Sequence, residues 1–370
     1  MSTATIRALL DRLDDVFPAS WAEPWDRVGL LVGDPGALLH RVFVSLDPTP
    51  AALAAAIDAG AQVLLTHHPV FLETPAHLAP GQGVAGVPFA AASAGIALVA
   101  CHTNLDRAPA GADALPQALG LRMVGPLESS SMRVATLVTY LPRGAVAGAL
   151  AALHGAGAGR IGHYAQCSFV GSGTGSYLPL EDASPAAGEP GSVHEEPEER
   201  IEVVCEPGML TAAIEALRRV HPYEEPVVLT GDAMMSRGAA RMGRVCETPA
   251  GSTVASLAAH VGGALGVRVR VWGDGRAPVA LAGVAPGSGR SLVRDAREAG
   301  CGVLITGELR YHEALDAVDH GLAIIEAGHD ATEWPLVPVL AAAAARTAGL
   351  SAAATIQAGP SIRWWTTEGE

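Results

Sequence analysis

Three apolar strand-like stretches each run straight into side chains that bind metals or move protons: VLLTHHP at 63–69, ALVACHTNLD at 97–106 and AIIEAGHDATE at 323–333. A strand end is where an open α/β sheet places its ligand site. His67, His68, Asp106, His329 and Glu333 form a mixed imidazole and carboxylate set, the ligand type that suits zinc, iron or manganese. Five donors exceed the need of one open catalytic ion and fit two divalent ions sharing a bridging carboxylate.

Each string also has a plainer reading. Adjacent His67 and His68 cannot face the same way in a regular strand, because side chains alternate. Pro69 follows and removes a ladder donor, so the pair belongs where the strand ends and the backbone turns. There each imidazole can address its own ion; otherwise they are two surface histidines. Asp106 is also a natural cap or turn former. His329 and Glu333 stand four apart in GHDATEWP and share a helix face, the geometry of an ordinary surface pair as well as of two ligands. Glu333, with two oxygens, is the candidate bridge. His102 precedes Asp106 by four residues and is placed for proton transfer or for supporting a ligand. Thr306, Glu308 and His312 occupy the later counterpart of THHP. Glu308 reads as a general base or as an acceptor orienting a ligand histidine, and His312 as a further proton-transfer candidate.

The elements that must position these residues come in two like copies. RVFVSLDPTPAALAAAIDAGAQVLLTHHP at 41–69 parallels PVALAGVAPGSGRSLVRDAREAGCGVLITGELR at 278–310, and AGIALVACHTNLD at 94–106 parallels HGLAIIEAGHDATE at 320–333. Two βαβ-type halves follow, with ligands at matching strand ends. We place the first half of the metal domain at 1–127 and the second at 243–370. Between them, 128–242 reads as an inserted small α+β domain. Within it the acidic stretch EDASPAAGEPGSVHEEPEER at 181–200 reads as a solvated loop. The GSG strings at 171–173 and 287–289 read as turns, and neither matches a Walker or dinucleotide fingerprint.

The bulk numbers bound the rest. The chain has 370 residues, 49% hydrophobic and 4% aromatic, with a formal net charge of −14. That acidic balance argues against a general nucleic-acid binder, which needs a cationic face. Cys101, Cys167, Cys205, Cys246 and Cys301 are scattered, with no C-x-x-C pair. They read as buried small side chains in a reducing cytoplasm. MSTATIRALLDRLDDVF has charges throughout and no apolar core followed by a cleavage site, so it does not read as a signal peptide. No run reaches the roughly 18 uncharged apolar residues of a membrane span.

With these strings together, the sequence resembles the Nif-three-like dinuclear metal-centre family, whose members are named GTP cyclohydrolase 1 type 2 homologs. AEPWDRVGLLVGDP at 22–35 opens the likeness, with Arg27 where Asn is usual. VSLDPTP, LLTHHPVF, CHTNLD, GVAPGSG, LITGELRYHEALD and EAGHDATE follow in the family's order. GAGRIGHYAQCSFVGSGTGSYLP and HPYEEP mark the longer variant, whose insert is similar to the CutA and PII domains. Glu308 stands where Asp is frequent, and Asp330 where another residue often follows the Gly-His pair. The resemblance implies His68, Asp106 and Glu333 on one ion and His67, His329 and Glu333 on the other. It also implies a homohexameric ring and a hydrolase opening a nucleotide or another cyclic C–N substrate. The alternative is a non-enzymatic, metal-loaded scaffold or regulator that binds a partner or small ligand through its insert.

Overall fold

The structure is a computed structural model, described here for residues 4–73, 75–161, 164–236, 238, 240–350 and 355–358. The chain divides into two compact units: Met1–Ser129 with Ala239–Glu370, and Ser130–Gly238.

The larger unit begins with α1 (Ile6–Val16), capped by Thr5, whose hydroxyl accepts from the Ala8 N–H. Ile6, Leu9 and Leu13 recur at helical spacing and are buried. There follow β1 (Gly29–Val32), β2 (Val42–Ser45), α2 (Pro50–Asp58), β3 (Val63–Thr66), α3 (Gly83–Ala94) and β4 (Ala97–Ala100). Next come the short α4 (Thr103–Arg107) and α5 (Pro109–Ala118). Strands β2, β3 and β4 run parallel, and β1 closes on β4 antiparallel. Every residue of β2, β3 and β4 is buried. Helices covering both faces of a parallel sheet require such continuous apolar runs. The next strand, β5 (Arg122–Pro126), leaves this sheet for another.

The smaller unit holds β6 (Ser131–Pro142), α6 (Val146–Gly155), β7 (Phe169–Tyr177), β8 (His194–Cys205), α7 (Leu210–Arg218) and β9 (Val228–Ser236). The order βαββαβ makes an antiparallel sheet β7-β8-β6-β9. Leu137, Leu141, Leu153, Ile201, Val203 and Leu217 form its core. Two expectations are corrected here. The acidic HEEPEER segment is strand, not loop: β8 starts at His194. Pro197 is tolerated because β6 stops at the Pro142–Glu198 pair, so β8 has no neighbour on that side at Pro197. GSG at 171–173 lies inside β7 and makes no turn.

The chain then returns to the larger unit with β10 (Arg244–Glu247), α8 (Val254–Leu265), β11 (Arg270–Trp272), β12 (Leu281–Val284) and α9 (Val293–Glu298). After these come β13 (Val303–Thr306), α10 (Tyr311–Asp319), β14 (Ala323–Glu326), α11 (His329–Glu333), α12 (Leu336–Ala344) and β15 (Thr355–Gln357). The strand order β11-β14-β13-β12 repeats β1-β4-β3-β2, with the same parallel and antiparallel directions. The likeness extends to backbone detail. Gly33 (φ 121°) lies against Ala97 and Gly273 (φ 108°) against Ala323, and an added Cβ would meet the alanine Cβ at 2.6 and 3.1 Å. The mixed α/β fold is thus two pseudo-repeated halves with an inserted α+β unit.

The two halves exchange elements. Leu336, Val337 and Leu340 of α12, late in the chain, share one core with Leu9, Val42, Val63 and Val99 of the first half. Leu115 and Leu119, at the end of α5, pack with Val261, Val303, Ile305 and Ile325 of the second. Strands are exchanged too: β15 pairs with β2, and β5 with β10.

Candidate metal centre

Three strand ends meet in the larger unit. At the end of β3 the Thr66 hydroxyl donates to the His68 carbonyl at 2.6 Å, and the His68 N–H donates to the Leu46 carbonyl at 3.0 Å. These bonds pin the turn, so His67 and His68 leave the strand in fixed, different directions. At the end of β4 the Cys101 N–H is tied to the Thr66 carbonyl at 3.0 Å, and His102 opens α4, which carries Asp106. At the end of β14 the chain reverses through Gly328 (φ 93°), a conformation that favours glycine, into α11 with His329 and Glu333 on one face.

Each imidazole is held through Nδ1. The His67 Nδ1–H donates to the Cys101 carbonyl at 3.0 Å; His68 Nδ1 faces Asp47 Oδ1 at 2.8 Å, and His329 Nδ1 faces Glu308 Oε1 at 3.1 Å. His102 Nδ1 lies 2.8 Å from the fully buried Asp26 carboxylate. An acceptor on Nδ1 places the proton there and leaves Nε2 as the free donor atom, the arrangement found behind metal-bound histidines.

The Nε2 atoms turn toward Glu333. His68 Nε2 is 3.0 Å from Glu333 Oε2 and His329 Nε2 is 3.1 Å from Oε1. His67 Nε2 is 3.7 Å from both Glu333 Oε1 and Asp106 Oδ1. Among the described residues, two groups each hold possible ligand atoms within 4.8 Å of one another: His67, His68 and His102, and His68, His329 and Glu333. His67 Nε2, Asp106 Oδ1 and Glu333 Oε2 are buried and have no hydrogen-bond partner, although Oε2 is close to His68. Buried polar atoms left unpaired cost free energy, so a native site that keeps several of them together implies another group between them. Divalent cations accept lone pairs from this donor set, so the residues fit a metal ion.

The electrostatics agree. Burial opposes a charge on Glu333, but His329, His67 and His68 outweigh it and hold the carboxyl well below the usual carboxylate range. Burial would lower His68, yet Asp47 and Glu333 raise it to about 10. Glu333 is the main cause that lifts His329 to about 9, against burial and with help from Glu308. His67 is raised because Asp106 and Glu333 outweigh its burial. Burial pushes Asp106 up, with His67 opposing. Without a metal, protons on the imidazoles balance the carboxylates; a divalent cation supplies the same charge and displaces them.

Glycines form the wall beside α11. Gly287 (φ 60°) comes so close that an added Cβ would sit 2.1 Å from Glu333 Oε1, and one on Gly307 would meet the His329 Cα at 2.8 Å. GSG at 287–289 therefore makes room for the carboxylate. Thr306 is buried behind it, its hydroxyl donating to the Gly287 carbonyl at 3.0 Å.

The structure brings together His67, His68, His102, Asp106, His329 and Glu333, with Glu308 behind His329. His312 stands apart: it is exposed on α10, with its ring against Tyr311. From sequence, Asp26 and Asp47 carried no role in the site, and Gly287 only that of a turn residue. Asp47 follows β2 at a strand end, the same signal that marked the histidines. Asp26 carries no such signal; it meets His102 only through the fold.

Comparison with known proteins shows which family the chain belongs to. A protein from Mycobacterium leprae named GTP cyclohydrolase 1 type 2 homolog is 34% identical over 341 residues, covering 90% of this chain and 88% of its own. A Bacillus subtilis protein of the same name is 31% identical over 326 residues, with 87% of each covered. The crystal structure of a Bacillus cereus protein related to NIF3 covers 100% of both chains at 25% identity and a TM-score of 0.64. The Duf34/NIF3 (NGG1p interacting factor 3) family model matches residues 4–357, and this chain belongs to that family.

Proposed function

We propose that this chain holds two divalent ions, zinc or iron, with manganese as a further candidate, and hydrolyses a nucleotide or another cyclic C–N substrate. One observation carries the reading: His67 Nε2 and Asp106 Oδ1 are buried and without a hydrogen-bond partner, 3.7 Å apart, with Glu333 Oε1 also 3.7 Å from His67 Nε2. The naming of the M. leprae and B. subtilis relatives supports the substrate class. When bound, such ions supply Lewis acidity, polarising the bond under attack and making water acidic near neutral pH. The chain's own residues do the rest. Asp47, Glu308 and the Cys101 carbonyl orient the three imidazoles. Glu333 offers one oxygen to each side of the cluster. His102, held by Asp26, moves the proton to the leaving atom. Glu308 serves as the acceptor for His329. His312, outside the cluster, keeps a role only if a bound substrate reaches α10. A homohexamer in the cytoplasm, with a small-molecule substrate, completes the proposal.

Metal analysis of purified protein tests it. Wild type should carry two ions per chain and Glu333→Ala markedly fewer; two ions retained in Glu333→Ala would remove the bridge. The resemblance groups His67 with His329, whereas the ligand atoms of His329 cluster with those of His68 and Glu333, and His67 Nε2 lies 3.7 Å from Asp106 Oδ1. If His67→Ala and His329→Ala lose the same ion, the first allocation stands; if they lose different ions, the second does. Wild type with two ions but no turnover of nucleotides or cyclic amides would favour the scaffold, a reading supported by an insert with a core of its own.

A further inference from the structure

The segment Glu23–Arg27 lies beside the imidazole cluster and presents an aromatic ring there. Its anchor is Asp26, only 7% exposed. The Asp26 carboxylate accepts from the Thr103 N–H at 3.0 Å and from the Thr103 hydroxyl, and it holds His102 Nδ1. The Glu23 N–H donates back to the Thr103 hydroxyl at 2.8 Å, and the Asp26 N–H to the Glu23 carbonyl at 2.9 Å. The segment is therefore fastened to the start of α4, the helix that carries Asp106.

The residue before this anchor points the other way. Trp25 is 54% exposed, yet its ring is not free to wander: it makes an edge-to-face contact with His102, with centroids 6.0 Å apart. His102 in turn lies 5.1 Å from the His67 ring and 5.5 Å from the His68 ring. A large apolar ring held in water beside a polar cluster is a stacking surface prepared in advance, which lowers the ordering cost of binding. Arg27, on the far side of the anchor, is exposed as well.

We propose that Trp25 is a specificity-determining residue, the platform on which a planar heteroaromatic ring of nucleobase type stacks beside His102. This rests on the hydrolase reading and names its substrate class by residue. The chemistry is sequence-tolerant, since any base offers a π-face, and so it sets ring against non-ring ligands rather than one base against another.

Equilibrium binding to the metal-loaded full chain tests it, with GTP as the ring-bearing probe and inorganic tripolyphosphate as the ring-free control. Trp25→Leu should weaken GTP about 5- to 150-fold, the size of one base–aromatic stacking contact, and leave tripolyphosphate unchanged. Trp25→Tyr should restore most of the loss, which a folding defect would not allow. Metal content, measured on the same samples, should stay at the wild-type level in both variants. GTP binding by Trp25→Leu equal to wild type, equal weakening of both probes, or no GTP binding by metal-loaded wild type would each overturn the platform. A change in sedimentation without a change in GTP affinity would overturn it too, making the ring a contact between copies. Loss of metal from wild type itself would instead strike the two-ion reading, which the elemental analysis records separately.

Discussion

At the scale of single residues, the site is a set of imidazoles whose outer nitrogens are spoken for. That arrangement makes the metal-free protein sensitive to pH in a defined direction. His68 and His329 are raised from an ordinary value of about 6.5 to about 10 and about 9, so they stabilise the metal-free fold fully below pH 6.5. That contribution is lost as pH rises through 9 and 10. The expected result is a chelator-treated protein whose Tm falls between pH 7 and 10, while the metal-loaded protein, with neutral imidazoles, does not share the fall. Loading at pH 7 should also release protons, detectable as a calorimetric heat that depends on buffer ionisation. A flat Tm profile in chelator would show that the cluster is not charged as described. His102 is a separate case. If it transfers the proton, His102→Asn keeps its metal and loses about 10²–10⁴-fold in turnover. If it supports the ligands, metal affinity drops about 10–100-fold instead. Turnover and metal content on one preparation decide between them.

At the scale of elements, three strand ends and two five-residue helices do the positioning, and they work because backbones approach closely. Gly287 is the tightest point, with positive φ and no space for a side chain beside Glu333. Gly287→Ala should therefore displace the Glu333 carboxylate, lowering metal occupancy as well as Tm. By contrast, Gly263→Ala on α8 has nothing within 4 Å of its added Cβ and should leave the metal untouched. It should match or slightly exceed wild type in Tm, since Ala exceeds Gly in helix propensity by up to about 1 kcal/mol. Equal metal content in the two variants would show that the glycine wall does not shape the site.

At the scale of the whole molecule, the exchange of α12 and of the end of α5 between the two cores makes the halves interdependent. A fragment of residues 1–127 loses α12 and β15 from its core and edge, and it should be insoluble or molten by near-ultraviolet circular dichroism. The insert is another matter. Its flanks are already joined: the Leu127 N–H donates to the Gly243 carbonyl at 3.2 Å, and the Glu128 N–H to the Met242 carbonyl at 3.0 Å. Replacing Ser130–Gly238 by a short Gly/Ser turn should leave a folded, metal-binding protein, because the ends to be linked are neighbours across a ladder. Aggregation or loss of metal in that deletion would make the insert part of the larger unit's core.

The sequence by itself determined the candidate donor types, their place at strand ends and the doubled plan of the molecule. Those features are local: an apolar run, the residue that ends it, and the same pattern met twice. Asp47 was within reach of the same rule. Tertiary structure alone decided the rest. Asp26 holds His102 across 76 residues of chain, and nothing near either residue announces the partner. HEEPEER becomes strand because β7 is there to pair with it, a stabilisation that outweighs its charge and its proline. Only the packed cores show that α12 and α5 cross over, since helical periodicity marks a buried face without naming the sheet that will bury it.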